Sequence, residues 1–172
     1  MEKKIWEDIL VPQYVVLLFV NILSTLVVSN VVITSYIFLT LIAFGLAIFG
    51  FNSFNMIFDK EIDKITKPER AIPSGKVKES LVKIMGIMFF LIAIGISFIT
   101  QSLFLPMLVF ILITLFYTHP KIYLKKFFIS SSLFGVLLYY LFPLITLSFL
   151  YNLQIPKEPI VITTTLLFFI AP

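Results

Sequence analysis

Residues 52–77, "NSFNMIFDKEIDKITKPERAIPSGKV", separate two long apolar parts of this sequence and decide how the chain folds. The segment begins at the end of an uncharged run, Ile9–Phe58, and then places charges of both signs close together. The uncharged run is long enough for two helices of about 20 apolar residues, the length that crosses a bilayer. The charged segment is therefore expected to lie at a membrane surface, between one pair of spans and the next.

The composition of the whole chain agrees with this interpretation. Of its 172 residues 60% are hydrophobic, and the mean hydropathy is +1.09. Only 13% are charged, whereas a soluble domain has about 25%. Helices satisfy their own backbone hydrogen bonds in lipid. We therefore expect an all-α, polytopic transmembrane helical bundle that forms a single membrane domain over residues 1–172.

The predicted spans follow from the polar breaks between apolar stretches. A break around Ser29 divides the first uncharged run. Gln101 and Ser102 divide a second uncharged run, Ile84–Thr118. Five full spans and a partial sixth result. They are Leu10–Val28, Ile33–Phe58, Leu81–Thr100, Leu103–Thr118, one within Phe127–Leu150, and the partial segment Ile160–Pro172.

Basic residues fall on one face of this layout. Every Lys and Arg except Lys157 lies in the N-terminus, in the loop after the second span or the first turn of the third, or in the loop after the fourth. Basic residues favour the cytoplasmic side, so the N-terminus and these loops are expected there, in the cell membrane. The net charge of +4 reflects this bias, and no nucleic-acid partner is expected. With no cysteine in the chain, disulfides and thiolate metal sites are excluded.

A polar stripe ends the second span. Asn55, Asp59 and Asp63 are four residues apart and share one helix face, and Asn52 extends the stripe into the membrane. Two like charges one turn apart repel each other, and Mg2+ neutralises such a pair well. This ion prefers oxygen ligands and completes its shell with water and substrate phosphates. The stripe therefore suggests half of a site for a Mg2+–diphosphate complex.

A simpler alternative is an ordinary solvated helix end. The carboxylates would then pair with nearby lysines, namely Lys60, Lys64 or Lys67. The amides of Asn52 and Asn55 favour the functional interpretation, because polar groups within an apolar span tend to face a protein interior or a cavity.

Three motifs give the chain its resemblance to a known family. "NSFNMIFDKEID" fits the N-x-x-x-D-x-x-x-D signature of UbiA-type intramembrane prenyltransferases, and "KITKPERAIPSGKV" is similar to their basic Pro-Ser-Gly loop. "YTHPK", Tyr117–Lys121, resembles their Y-x-x-x-K motif and follows the fourth span, as in the family. Ser74 in the loop is a candidate cap for the next helix.

The resemblance implies a Mg2+-dependent transfer of an isoprenyl group within the membrane. The donor would be an isoprenyl diphosphate, and the product of its ionisation, an allylic cation, would alkylate a hydrophobic acceptor. The acceptor would be a glycerol phosphate lipid or a quinone precursor, with membrane lipid around the bundle. The resemblance assigns the metal site to Asn55, Asp59 and Asp63, diphosphate binding to Asn55, Lys67, Arg70 and Lys121, and catalytic roles to Asp59, Asp63, Arg70, Tyr117 and Lys121.

Each assignment has an alternative that the sequence leaves open. Lys67 and Lys121 also fit as ordinary cytoplasmic basic residues, and Tyr117 as an aromatic anchor at the membrane interface. Arg70 also fits as a partner of Glu69 or of a lipid phosphate.

One family feature is missing from the sequence. Family enzymes carry a second acidic motif after their sixth helix, but here the only acidic residue after Glu79 is Glu158. We expect either a truncated or split chain, for which a second chain is a candidate partner, or part of a longer protein, and in both cases little turnover by these residues alone. The alternative is a non-catalytic membrane protein that binds isoprenoid or partner helices. A transporter is disfavoured, because no charge lies at mid-span.

Overall fold

The computed structural model describes residues 12–120, 134–135 and 137–153. Lys121, the first part of the predicted fifth span and the partial sixth lie outside them. The described ranges contain helices and no strand. The elements are α1 (Pro12–Val28), α2 (Ser35–Phe58), α3 (Lys60–Thr66), α4 (Glu79–Ile99), a 3-10 turn (Gln101–Leu103), α5 (Phe104–Thr118), a π-helical turn (Leu137–Leu141) and α6 (Phe142–Tyr151).

The boundaries of the first four predicted spans agree closely with α1, α2, α4 and α5. Helices α2 and α4 are long and apolar enough to cross a bilayer, by length and composition. The remaining apolar helices in the described part are shorter. The predicted break near Ser29 is a turn between α1 and α2, in which Asn30 adopts a left-handed backbone with φ of 55°.

Helix α2 is the central element, and small residues bring it close to α4. A Cβ atom added to Gly50 of α2 would lie 2.6 Å from the Phe90 ring and 3.1 Å from the Gly86 carbonyl oxygen. A Cβ atom on Gly86 of α4 would lie 3.0 Å from Ser53. Small residues at such crossings let helix backbones approach each other in a membrane. The contact fixes the end of α2 from which the polar stripe emerges.

The other side of α2 packs on α5 and α6 through aromatic rings. The Phe44 ring meets the Phe110 ring of α5 edge-on at 5.1 Å between centroids. It also meets the Phe142 ring of α6, at 6.1 Å.

Two hydroxyl pairs add polar contacts between distant parts of the chain. Thr25 Oγ1 lies 2.9 Å from the Tyr140 hydroxyl, and Thr40 Oγ1 lies 3.0 Å from the Tyr151 hydroxyl.

The outward face of α4 is apolar and exposed, as expected of a helix in contact with lipid. Leu81, Ile84, Met88 and Leu91 are all exposed there. From Ile84 to Ile99 no exposed residue of α4 has a polar side chain, so burying this part of the face in a bilayer leaves no side-chain hydrogen-bonding group unsatisfied.

We predict that Gly50→Ala weakens the packing of α2 on α4. The added methyl group collides with Phe90 and the Gly86 backbone, and overpacking of this kind costs about 1–3 kcal/mol. The free energy of unfolding, measured by reversible denaturation in mixed micelles, should fall by that amount. Gly95→Ala in α4 is the matched control, because a Cβ atom there meets nothing within 4 Å. Equal effects of the two substitutions would contradict the close approach.

Candidate functional site

The polar stripe is carried by a nearly continuous run of backbone hydrogen bonds from α2 into α3. The N–H of Asp59 donates to the carbonyl of Asn55 at 2.9 Å, and the N–H of Asp63 donates to the carbonyl of Asp59 at 2.8 Å. The N–H of Lys67 then donates to the carbonyl of Asp63 at 2.8 Å. These four residues therefore lie one above another, and the predicted shared face is confirmed.

Both carboxylates of the stripe are buried. Asp59 is 7% exposed and Asp63 is 4% exposed, although a charged side chain is rarely buried unless it is paired or binds a ligand. Two of the lysines expected in a solvated helix end are engaged elsewhere. Lys60 pairs with Glu79 at 2.7 Å, and Lys64 pairs with Glu61 at 2.9 Å. The burial of both carboxylates therefore contradicts a solvated helix end.

Arg70 reaches Asp63, the outer of the two carboxylates, from the loop after α3. Its Nη1 donates to Asp63 Oδ2 at 2.7 Å, and the Arg70 side chain stays 31% exposed. Neither Glu69 nor a lipid phosphate is needed to explain its position. A guanidinium has five N–H donors in a planar fork, so a contact with Asp63 leaves other donors for an anion outside.

The loop that carries Arg70 is held against the bundle by apolar contacts. Ala71 is fully buried and forms a small cluster with Met56, Ile57 and Val82. The N–H of Val77 donates to the carbonyl of Ala71 at 3.1 Å and closes the loop. Because Ala71 follows Arg70 directly, this cluster sets the position from which the guanidinium reaches Asp63.

The turn at the end of this loop differs from the sequence prediction. Ser74 does not cap α4: the residue before the helix is Lys78, with no side-chain capping bond. The Ser74 hydroxyl instead donates to the Ala71 carbonyl at 3.4 Å. Gly75 has φ of +72°, a conformation that glycine adopts without steric cost. Ser74 and Gly75 thus form a turn that precedes the helix by several residues.

The other charged residues of α3 are at least partly exposed to solvent, and several of them form ion pairs. The hydrogen bond to Glu79 raises the pKa of Lys60. The hydrogen bond from Lys64 lowers the pKa of Glu61. Lys67, assigned to the diphosphate by resemblance, is exposed at the end of α3. Lys121, with its assigned diphosphate and catalytic roles, lies outside the described residues.

Tyr117 lies inside the bundle. It is buried, and its ring stacks on Phe134 with 3.5 Å between centroids and an interplanar angle of 5°. It also approaches Phe51 of α2 at 6.4 Å. These contacts exclude the alternative of an aromatic anchor at the lipid interface. They place Tyr117 beside the part of α2 that leads into the polar stripe.

The donor set of the stripe fits a shared Mg2+ site. Within the described residues, no three acidic or histidine side chains come together. Two buried carboxylates and the Asn55 amide remain. Mg2+ is commonly held by one or two carboxylates together with substrate phosphates and waters. The described residues therefore fit a site in which a phosphate ligand supplies part of the shell.

The structure adds one polar residue to those assigned from the sequence. Asn52 is 7% exposed, and its Nδ2 has no hydrogen-bond partner in the described part of the chain. The sequence signal was present, because an amide inside an apolar span is unusual. Only the structure shows that its donor is left unpaired.

Comparison with known proteins identifies the family of this chain. The sequence model of the UbiA prenyltransferase family matches residues 15–172. The chain belongs to the UbiA prenyltransferase family. The resemblance drawn from the three motifs is thereby confirmed. Members of this family are integral membrane proteins and generally use divalent metal ions.

Two curated UbiA-type relatives share a short, well-matched segment. The digeranylgeranylglyceryl phosphate synthase of Sulfurisphaera tokodaii is 49% identical over 43 residues, which is 25% of this chain and 16% of the relative. The enzyme of the same name from Saccharolobus solfataricus is also 49% identical over 43 residues, 15% of its length. The matched segment thus spans less than a fifth of either relative.

We predict that Arg70→Ala destabilises this UbiA-family chain. Removing the guanidinium leaves the buried Asp63 carboxylate unpaired, at a cost of about 1–3 kcal/mol. Lys64→Ala, which breaks an exposed ion pair, should change stability by less than about 1 kcal/mol.

Asp63→Asn added to Arg70→Ala should recover part of the loss, because the lone charge is gone. The measurement is reversible unfolding in mixed micelles. A double variant no more stable than Arg70→Ala alone would argue against the buried pair.

Proposed function

We propose that this chain forms the diphosphate-binding part of an intramembrane prenyltransferase. The single observation that carries the proposal is the pair of buried carboxylates, Asp59 and Asp63, in line with Asn55 and with Arg70 beside them, in a chain of the UbiA family. The donor would be an isoprenyl diphosphate bound with Mg2+. Burial of both carboxylates at the end of an apolar helix supports a ligand that is polar at one end and apolar at the other.

The proposal includes the orientation in the membrane. We place the N-terminus and the α3 loop on the cytoplasmic side, with five full spans and a partial sixth in one membrane domain. The distribution of Lys and Arg supports this arrangement. The mouth of the site, at the level of Arg70, would then open to the cytoplasm, from which a soluble cation and a charged diphosphate arrive.

The residues of the chain act on the ligand through binding and charge. Asn55, Asp59 and Asp63 present oxygen ligands to the cation, and Lys67 and Arg70 face the phosphate oxygens. When bound, Mg2+ acts as a Lewis acid on the diphosphate. Arg70 suits phosphate through its planar fork, whereas Lys67 acts as a point charge. The positive charges of Lys67 and Arg70 offset the negative charge that develops on the departing diphosphate.

Transfer of the isoprenyl group exchanges one carbon–oxygen bond for another. The bond between the allylic carbon and the bridging oxygen breaks, and both electrons leave with the diphosphate. An acceptor hydroxyl then bonds to the allylic carbon, and its proton passes to the released diphosphate. The buried aromatic rings around Tyr117 keep water from the allylic cation that exists between these two steps.

We propose a glycerol phosphate lipid as the acceptor. The printed names of both relatives, which are digeranylgeranylglyceryl phosphate synthases, support this choice over a quinone precursor. The described residues hold one acidic motif. A second chain that completes the helical bundle and brings further acidic residues is part of the proposal.

We predict that geranylgeranyl diphosphate protects the protein from thermal unfolding only when Mg2+ is present, and that Asp59→Ala weakens this protection. Loss of a charge-assisted contact worth about 1.5–3 kcal/mol raises Kd roughly tenfold or more. Glu61→Ala is the matched control, since Glu61 lies on α3 but is exposed and pairs with Lys64. Protection without Mg2+, or equal protection of Asp59→Ala, would instead favour a non-catalytic isoprenoid-binding protein.

We predict opposite labelling of two single cysteines introduced into this cysteine-free chain. Val32→Cys, in the exposed turn between α1 and α2, should react with a membrane-impermeant maleimide in intact cells. Ser74→Cys, in the exposed loop before α4, should react only after lysis. The reverse pattern would overturn the cytoplasmic orientation of the site.

A further inference from the structure

Asn52 stands apart from the other buried polar side chains of α2. The hydroxyl of Thr40 donates to the carbonyl of Tyr36, and that of Ser53 donates to the carbonyl of Phe49, each at 2.9 Å. The Asn52 Nδ2 is buried and has no such partner among the described residues. A buried donor without an acceptor is unfavourable, because it has lost its hydrogen bonds to water and gained none in the protein. Buried polar groups are almost always hydrogen-bonded, so an unpaired donor in a central helix needs an explanation.

The position of Asn52 connects it with the acidic stripe. At about 100° per residue, Asn52, Asn55, Asp59 and Asp63 fall within roughly 80° of one another around the helix. Gly50, which meets α4, lies about 160° away from Asn52 by the same arithmetic. The amide therefore does not belong to the contact between α2 and α4. It shares the face that carries the carboxylates.

The depth of Asn52 decides which part of a ligand it meets. At about 1.5 Å per residue, Asn52 lies about 4.5 Å deeper in the apolar helix than Asn55 and about 10 Å deeper than Asp59. A diphosphate held by the carboxylates has its isoprenyl tail on the apolar side. The atoms that pass the level of Asn52 are those where the tail joins the phosphate.

We propose that Asn52 Nδ2 donates a hydrogen bond to the bridging oxygen between the isoprenyl carbon and the diphosphate. This inference rests on the proposed function, because it takes the stripe to bind an isoprenyl diphosphate. When the bond from carbon to oxygen breaks, both electrons stay on that oxygen. An N–H group already aimed at it stabilises the charge as it forms, and removal of one such donor costs about 10²–10³ in kcat.

The test changes both Asn52 and the bridging oxygen that it is proposed to contact. Geranylgeranyl diphosphate is compared with its thiolo analogue, in which sulfur replaces the bridging oxygen and is a weak hydrogen-bond acceptor. Binding of both compounds to the full chain in nanodiscs is measured with Mg2+ present. Wild type should bind the oxygen compound about five- to tenfold more tightly, the ratio given by one hydrogen bond of about 1–1.5 kcal/mol.

Asn52→Leu should lose this preference and bind the two compounds with equal Kd values. Asn52→Ala provides a second variant with the same expectation. Ser53→Ala is the matched control, because its buried hydroxyl is already bonded to the helix backbone, and it should keep the wild-type ratio. Both Asn52 variants should bind inorganic diphosphate with Mg2+ as tightly as wild type, which shows that the site is folded.

The outcomes separate this inference from the proposed function. If wild type binds neither prenyl compound with Mg2+, the proposed function fails and the inference fails with it. If wild type binds both with equal Kd values, or if the Asn52 variants keep the fivefold to tenfold preference, the proposed function stands and only the role of Asn52 is overturned.

Discussion

The site depends on backbone hydrogen bonding that continues through Asp59. Because the N–H of Asp59 still donates to Asn55 and its carbonyl still accepts from Asp63, the helix does not turn away when it leaves the apolar region. Two carboxylates are thereby held in line with two amides and buried at the end of α2. The close contact of Gly50 with Gly86 and Phe90 fixes that helix end. The loop cluster around Ala71 then positions Arg70 beside Asp63, the outer of the two carboxylates.

Much of the fold was predictable from the sequence, because apolar runs between polar breaks determine helices in a membrane protein. The bounds of α2 and α4 and the shared face of Asn55, Asp59 and Asp63 follow from pattern and helical period. The pairing of Arg70 with Asp63 did not follow, since it depends on where a non-helical loop comes to lie. The cap assigned to Ser74 was wrong for the same reason.

Burial decided between the alternatives that spacing left open. Spacing alone allowed Asp59 and Asp63 to be solvated, and it allowed Tyr117 to face lipid. The structure buries all three, and it stacks Tyr117 on Phe134. Residues that are distant in sequence produce these contacts, which no local pattern encodes. The Nδ2 of Asn52, which has no hydrogen-bond partner among the described residues, could be recognised only in the same way, once its neighbours are placed.

The central claim is that the stripe holds a divalent cation together with a diphosphate. Pulsed electron paramagnetic resonance with Mn2+ in place of Mg2+ tests it most directly. With geranylgeranyl diphosphate bound, the account predicts phosphorus couplings to the manganese. The couplings should disappear when Asp59→Asn and Asp63→Asn are combined, and should persist in Glu61→Gln. Unchanged couplings in the doubly substituted protein, or their absence in wild type, would contradict the account.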